Sequence, residues 1–106
     1  MSDVIVYSSG EIELNVSIQN DTLWLTQKQL ADLFEVTKQN VSQHIIAIYK
    51  ENELEKNPTV KKFLTIQKEG NREVTRNIEH YNLDMIISVG YRVNSTKATK
   101  FRQWAM

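Results

Sequence analysis

A chain of 106 residues that is 41% hydrophobic and 25% charged has the composition of a soluble protein and the length of one domain. It has no cysteine, which excludes a disulfide framework or a zinc-thiolate site and fits a cytoplasmic location, and its longest strongly apolar run, MIISVGY, is too short to span a bilayer. Thirteen basic and thirteen acidic residues cancel, which argues against a strong, non-specific binder of polyanions.

The N-terminal residues predict an antiparallel β hairpin. In VIVYSSGEIELNVSI, two apolar runs flank a Ser-Ser-Gly turn. The second run contains four apolar residues that alternate with polar ones: Ile12, Leu14, Val16 and Ile18. This period of two is typical of a half-buried strand. A short strand, LWL at residues 23–25, follows and leads into the next segment.

Two helices joined by a tight turn are predicted next, in LTQKQLADLFEVTKQNVSQHI. Thr26 is a good N-cap for the first helix, and Gln29 completes a capping box. Ala31 is the small residue that a helix-turn-helix needs where the second helix crosses the first. Glu35 falls in the turn, where glycine is common, and must tolerate a left-handed backbone. Thr37 is expected to cap the second helix.

The outer face of the second helix carries side chains suited to DNA bases. With Val41 facing the core, Gln39 and Gln43 point outward at 100° per residue. Glutamine bonds bidentately to adenine, lysine donates to guanine, and Ile46 can touch a thymine methyl. The residues predicted to contact DNA from this helix are Lys38, Gln39, Asn40, Ser42 and Gln43. The competing interpretation is that they are only the solvated face of a packing or protein-binding helix.

A two-stranded β wing is predicted over residues 63–67 and 73–81, with EGN as its turn. Pro58 disfavours helix at Asn57, so the second helix should end before them. In winged folds such a hairpin lies along the DNA backbone or in the minor groove. Its predicted phosphate contacts are Lys61 and Lys62 at the base and Lys68, Arg72 and Arg76 near the turn.

The C-terminal region predicts two helices. Asn82 should cap the first, which Gly90 should close, and Ser95 should cap the second. The last helix has an apolar stripe of Ala98, Phe101, Trp104 and Ala105. It has no stop signal before the chain ends, which is expected of an N-terminal piece of a longer protein. This stripe and the edges of LWL and of the hairpins are the expected contacts of a homodimer.

The segment YNLDMIISVGYRVNSTKATKFRQWA, residues 81–105, resembles the RhuM-type virulence proteins, bacterial proteins also found near mobile elements and phage-derived genes. LWLTQKQLADLFEVTKQNVSQHI and FLTIQKEGNREVTRNIEHYNLD stand where that family has matching segments. The resemblance implies an N-terminal DNA-binding module, similar in style to phage antirepressor-type domains, and supplies no catalytic residues. Asp84 and Arg92, in the distinctive string, are interpreted as structural, with Asp84 on the helix dipole and as a possible partner of Arg92.

Enzyme chemistry is not indicated. His44 and His80 lack the spacing of a metal pair or a triad, and His80 reads as a strand residue. Glu51, Glu53 and Glu55 read as solvated surface. No cofactor, metal, small-molecule substrate or membrane partner is therefore expected.

The sequence thus predicts one α+β domain over residues 1–106, a winged helix-turn-helix with an N-terminal β hairpin and two C-terminal helices. The expected function is sequence-specific recognition of double-stranded DNA, in transcriptional or mobile-element regulation and as a homodimer. The alternatives are a protein-interaction or dimerisation module and the targeting domain of a longer enzyme.

Overall fold

The computed structural model describes residues 3–8, 13–19, 22–93 and 96–105. These residues form a mixed α+β fold of one five-stranded antiparallel sheet and five helices. The strands are β1 (Asp3–Ser8), β2 (Glu13–Gln19), β3 (Thr22–Thr26), β4 (Val60–Glu69) and β5 (Arg72–Asn82). The helices are α1 (Gln27–Phe34), α2 (Lys38–Lys50), α3 (Lys56–Thr59), α4 (Leu83–Val93) and α5 (Thr96–Ala105).

The sheet joins the two predicted hairpins, in the strand order β1-β2-β3-β5-β4. β1 pairs with β2, as predicted, and β4 pairs with β5 along its whole length. β3 lies between them, because Trp24 is opposite Ser17 of β2 and also opposite Asn82 of β5. The expectation that LWL offers a free edge for a dimer is therefore wrong. Among the described residues, the sheet edges are β1 and β4.

One face of the sheet packs on the helices. The strand register places Tyr7, Leu14, Val16, Leu25 and Tyr81 on this face, and all five are buried. They pack in one cluster with apolar residues of α1, α2, α4 and α5. Burial of this apolar area is the main favourable term in folding, at about 25 cal/mol per Å². The amphipathic periods read from the sequence therefore all point into one core.

The start of α1 and the turn to α2 follow the predicted local chemistry. The hydroxyl of Thr26 accepts from the Gln29 N–H at 3.1 Å, while the Gln29 side chain accepts from the Thr26 N–H at 3.0 Å. Thr37 caps α2 by accepting from the Asn40 N–H at 3.0 Å. Glu35 adopts the left-handed conformation, φ 57° and ψ 45°, and its N–H closes α1 on the Ala31 carbonyl. Three residues therefore suffice to reverse the chain between the helices.

Two predicted helix boundaries are wrong. Gly90 does not close α4, which runs on to Val93, because the apolar spacing continues and buries Gly90 inside the helix. Asn57 is helical, within the single turn α3. Pro58 is tolerated as the third residue of α3, because the first N–H groups of a helix have no partner inside it.

The Asn82 cap on α4 is confirmed, since its Oδ1 accepts from the Met85 N–H at 3.1 Å. α5 is also found, with Phe101 buried and Trp104 38% exposed. The ring centroids of Phe101 and Trp104 lie 5.1 and 4.9 Å from that of Tyr7 on β1. The predicted cap Ser95, the side chain of Ala98 and the first residue of the alternating run, Ile12, lie outside the described part of the chain.

Candidate nucleic-acid interface

The outward face of α2 has the predicted orientation. Val41, Ile45 and Ile48 are buried against the core. Gln39 and Gln43 are exposed on the opposite side, and no hydrogen bond holds either side chain among the described residues. Both amides are therefore available to a ligand. The two remaining predicted contacts near them, Asn40 and Ser42, are half-buried.

The surface of α2 is unusual for a solvated helix because its sequence, KQNVSQHIIAIYK, contains no carboxylate. An exposed helix face commonly mixes both signs of charge. Here Lys38 begins the helix, Lys50 ends it, and Ile46 between them is 62% exposed. Nothing on this helix would repel a phosphate backbone, and one apolar side chain lies open beside the amides.

The hairpin of β4 and β5 projects its cations with acidic partners. Gly70, at φ 64°, begins the two-residue loop between Glu69 and Arg72, the position where hairpin turns favour glycine. Lys68 lies opposite Glu73 across the strands, and Arg72 lies opposite Glu69. The hairpin end is therefore less basic than its lysine and arginine residues alone indicate.

A groove of about 1020 Å³ runs between the start of α1, the start of α2 and the hairpin. Four cationic side chains are among its lining residues: Lys28, Lys38, Lys62 and Arg76. Among the described lining residues, Glu79 is the one acidic side chain. The groove is thus a cationic surface beside the N-terminal end of α2, where the helix dipole also favours anions.

The fold brings some predicted contact residues together and separates others. Lys38, Lys62 and Arg76 meet at the groove. Lys68 and Arg72 lie beyond it, near the hairpin loop. Lys61 is exposed and its Nζ lies 5.6 Å from the ring centroid of Phe63, in a cation–π contact.

Sequence reasoning missed Lys28. It lies in the first turn of α1, whereas base-reading logic looks to the second helix of the pair. It also stands between two glutamines, outside any cluster of charges in the sequence. Its position directly after the predicted capping residue Thr26 was the available signal, because a first-turn side chain lies at the helix end that attracts anions.

The two residues interpreted as structural have that role, with one partner corrected. His80 is 5% exposed, its Nδ1 lies 2.9 Å from the Ile78 carbonyl oxygen, and burial lowers its pKa below the usual 6.5. Arg92 does not pair with Asp84. Its guanidinium instead lies 2.9 Å from a carboxylate oxygen of Glu51 and 3.5 Å from one of Glu53.

This ion pairing also corrects the reading of Glu51 and Glu53 as plain solvated surface. Both follow the end of α2, and Arg92 comes from the last turn of α4. The ion pairs therefore connect the end of α2 with α4. The pairs are partly exposed, so each contributes little to the free energy of folding.

The described architecture is that of a mixed α+β protein with a pair of short helices beside a long hairpin. Residues 58–106 match the model of the virulence protein RhuM family. This match confirms the resemblance seen in the sequence, and the segment that contains β4, β5, α4 and α5 belongs to that family. No curated protein and no solved structure matches the chain significantly. Within the described residues, no helix has the length and apolarity needed to cross a membrane.

Proposed function

We propose that this chain is a winged helix-turn-helix domain that binds double-stranded DNA. In this proposal α1, residues 35–37 and α2 form the helix-turn-helix, and the hairpin of β4 and β5 is the wing. The observation that carries the proposal is the cationic groove lined by Lys28, Lys38, Lys62 and Arg76, next to a helix whose exposed face has amides and no carboxylate. Backbone phosphate is the ligand that this combination suits best.

The groove supplies the affinity in this proposal. Each lysine or arginine that neutralises a phosphate releases counterions, so four contacts correspond to a salt slope of about −3 to −4. Arg76 is already paired with Glu69, but the pair is exposed and costs little to exchange for phosphate. The zero net charge of the chain keeps its affinity for DNA outside the proper site low.

The amides of α2 supply the specificity. With the N-terminal part of α2 in the major groove, Gln39 and Gln43 reach base edges about one helical turn apart. Each amide can bond bidentately to the N6 and N7 atoms of an adenine, and Ile46 can pack on the C5-methyl of a thymine. We propose a homodimer on a two-fold symmetric site, because one small module buries little DNA surface. Such binding suits transcriptional or mobile-element regulation.

The test compares two pairs of lysines that carry the same charge. Lys38→Ala with Lys62→Ala removes two cations from the groove. Lys56→Ala with Lys100→Ala removes two exposed cations that do not line it. Titration of a mixed-sequence duplex at several salt concentrations should show a weaker, flatter dependence for the first pair, by roughly one unit of slope per contact. Equal losses in both pairs, or no binding by the wild-type chain, would overturn the proposal.

A further inference from the structure

The β4 strand carries an exposed row of two apolar side chains between two cations. Alternate residues of a strand share one face, so Lys62, Leu64, Ile66 and Lys68 form this row. Leu64 is 76% exposed and Ile66 69% exposed, and both lysines are exposed. They are the two most exposed large apolar side chains among the described residues.

Nothing in the described part of the chain covers this row. The residues opposite it on β5 are Glu79, Asn77, Thr75 and Glu73, and all four are exposed. β4 also lies at an edge of the sheet. Exposed leucine and isoleucine on an edge strand gain free energy from a ligand that removes them from water.

Charge decides between the two classes of ligand that could cover the row. A second copy could pair with the β4 edge, but the two-fold arrangement that places Leu64 against Ile66 also sets Lys62 of one copy opposite Lys68 of the other. Like charges directly opposite are destabilising, and lysine on an edge strand discourages such pairing. A surface that is apolar in the middle and anionic on both sides matches the row better.

The minor groove of DNA is such a surface. Apolar leucine and isoleucine side chains are found in minor-groove contacts of DNA-binding proteins. Lys62 and Lys68 are separated by about 20 Å at roughly 3.3 Å per residue. They can therefore reach phosphates of both strands that border a groove about 6 Å wide. Leu64 and Ile66 also line the cationic groove, together with Lys62, so the row continues the surface proposed for DNA.

We infer that the row Lys62, Leu64, Ile66 and Lys68 is a minor-groove contact, with the two apolar side chains against the deoxyribose walls and the two lysines on the flanking phosphates. This inference rests on the proposed DNA binding and adds the groove and the kind of contact. It also gives the apolar residues of the hairpin a part in affinity that does not depend on charge.

The test uses substitutions that remove apolar surface without changing charge. Leu64→Ser and Ile66→Ser should each weaken binding of a mixed-sequence duplex about five- to tenfold at every salt concentration. The salt slope should stay at the wild-type value, because no phosphate contact is lost. Hydroxyl-radical footprinting should show weaker protection of minor-groove sugars. Val6→Ser is the matched control, since Val6 is 52% exposed on the other edge strand and does not line the groove.

Ile66→Thr keeps the β-branched shape of the side chain and covers the case in which serine weakens the strand. It should also weaken binding, with a melting temperature equal to that of the wild type. Wild-type affinity and footprint in both Leu64→Ser and Ile66→Ser would overturn the minor-groove contact and leave the proposed function standing. A DNA-free dimer that these two variants abolish would assign the row to a second copy instead. Absence of any binding by the wild-type chain would overturn the inference and the proposed function together.

Discussion

Arg76 donates to both carboxylate oxygens of Glu69 across the hairpin, with Nη2 3.1 Å from Oε1 and 3.0 Å from Oε2. Both side chains are about half exposed, at 55% and 47%. Such a pair stabilises the fold by less than about 1 kcal/mol. Its larger effect is on the groove, because it engages one of the four cations proposed to meet phosphate.

Removing this carboxylate should strengthen DNA binding. In Glu69→Gln, Arg76 is released for phosphate and a charge that repels DNA is lost. We expect affinity to rise about threefold at low salt, with a steeper salt slope. Glu55→Gln is the control, since Glu55 is an exposed acid away from the groove. If the two variants raise affinity equally, the gain comes from net charge, and the engagement of Arg76 has no part in it.

The left-handed residue between α1 and α2 makes a prediction about stability. Glu35 has φ 57°, a conformation that costs a residue with a Cβ about 1 kcal/mol and costs glycine almost nothing. Glu35→Gly should therefore be more stable than Glu35→Ala by about 0.5–1 kcal/mol in urea unfolding. The order should reverse at the exposed mid-helix residue Asp32, where glycine is worse than alanine by about 1 kcal/mol. The same order at both positions would contradict the left-handed turn.

His80 makes a prediction about pH. Burial lowers its pKa in the folded chain below 6.5, while a hydrogen bond with the Ile78 carbonyl acts in the opposite sense. The unfolded chain therefore binds more protons just below pH 6.5, and folding stability is lost as pH falls through that range. The melting temperature should drop from about pH 7.5 to about pH 5.5, and the drop should be smaller in His80→Phe. An equal drop in the variant would assign the effect to other groups.

The helix starts were predictable because their chemistry is local. Thr26 and Gln29 exchange hydrogen bonds across three residues, and Thr37 does the same with the Asn40 N–H. A cap needs only side chains that are near in the sequence. The burial of Val41 followed in the same way, from helical periodicity alone.

Features that depend on distant residues were not predictable. LWL was read as a strand, but its central place in the sheet comes from the pairing of Trp24 with Asn82. Alternation along β4 predicted a strand without telling whether the face of Leu64 and Ile66 is covered. Lys28 joined the candidate site only because the hairpin packs near the start of α1.

The central claim is that Gln39 and Gln43 of α2 read DNA bases, and competitive selection from randomised duplexes tests it most directly. Both side chains are exposed, so Gln39→Ala and Gln43→Ala should melt as the wild type does, whereas Val41→Ala should lose about 0.5–1.5 kcal/mol of stability or more through its buried cavity. The wild type should select a motif, and each glutamine variant should lose roughly 1–3 kcal/mol on it and almost nothing on random DNA. Specificity should relax at one or two positions that differ between the two variants. If the wild type selects no motif, or if both variants select the wild-type motif unchanged, these amides are only a solvated face and the claim is wrong.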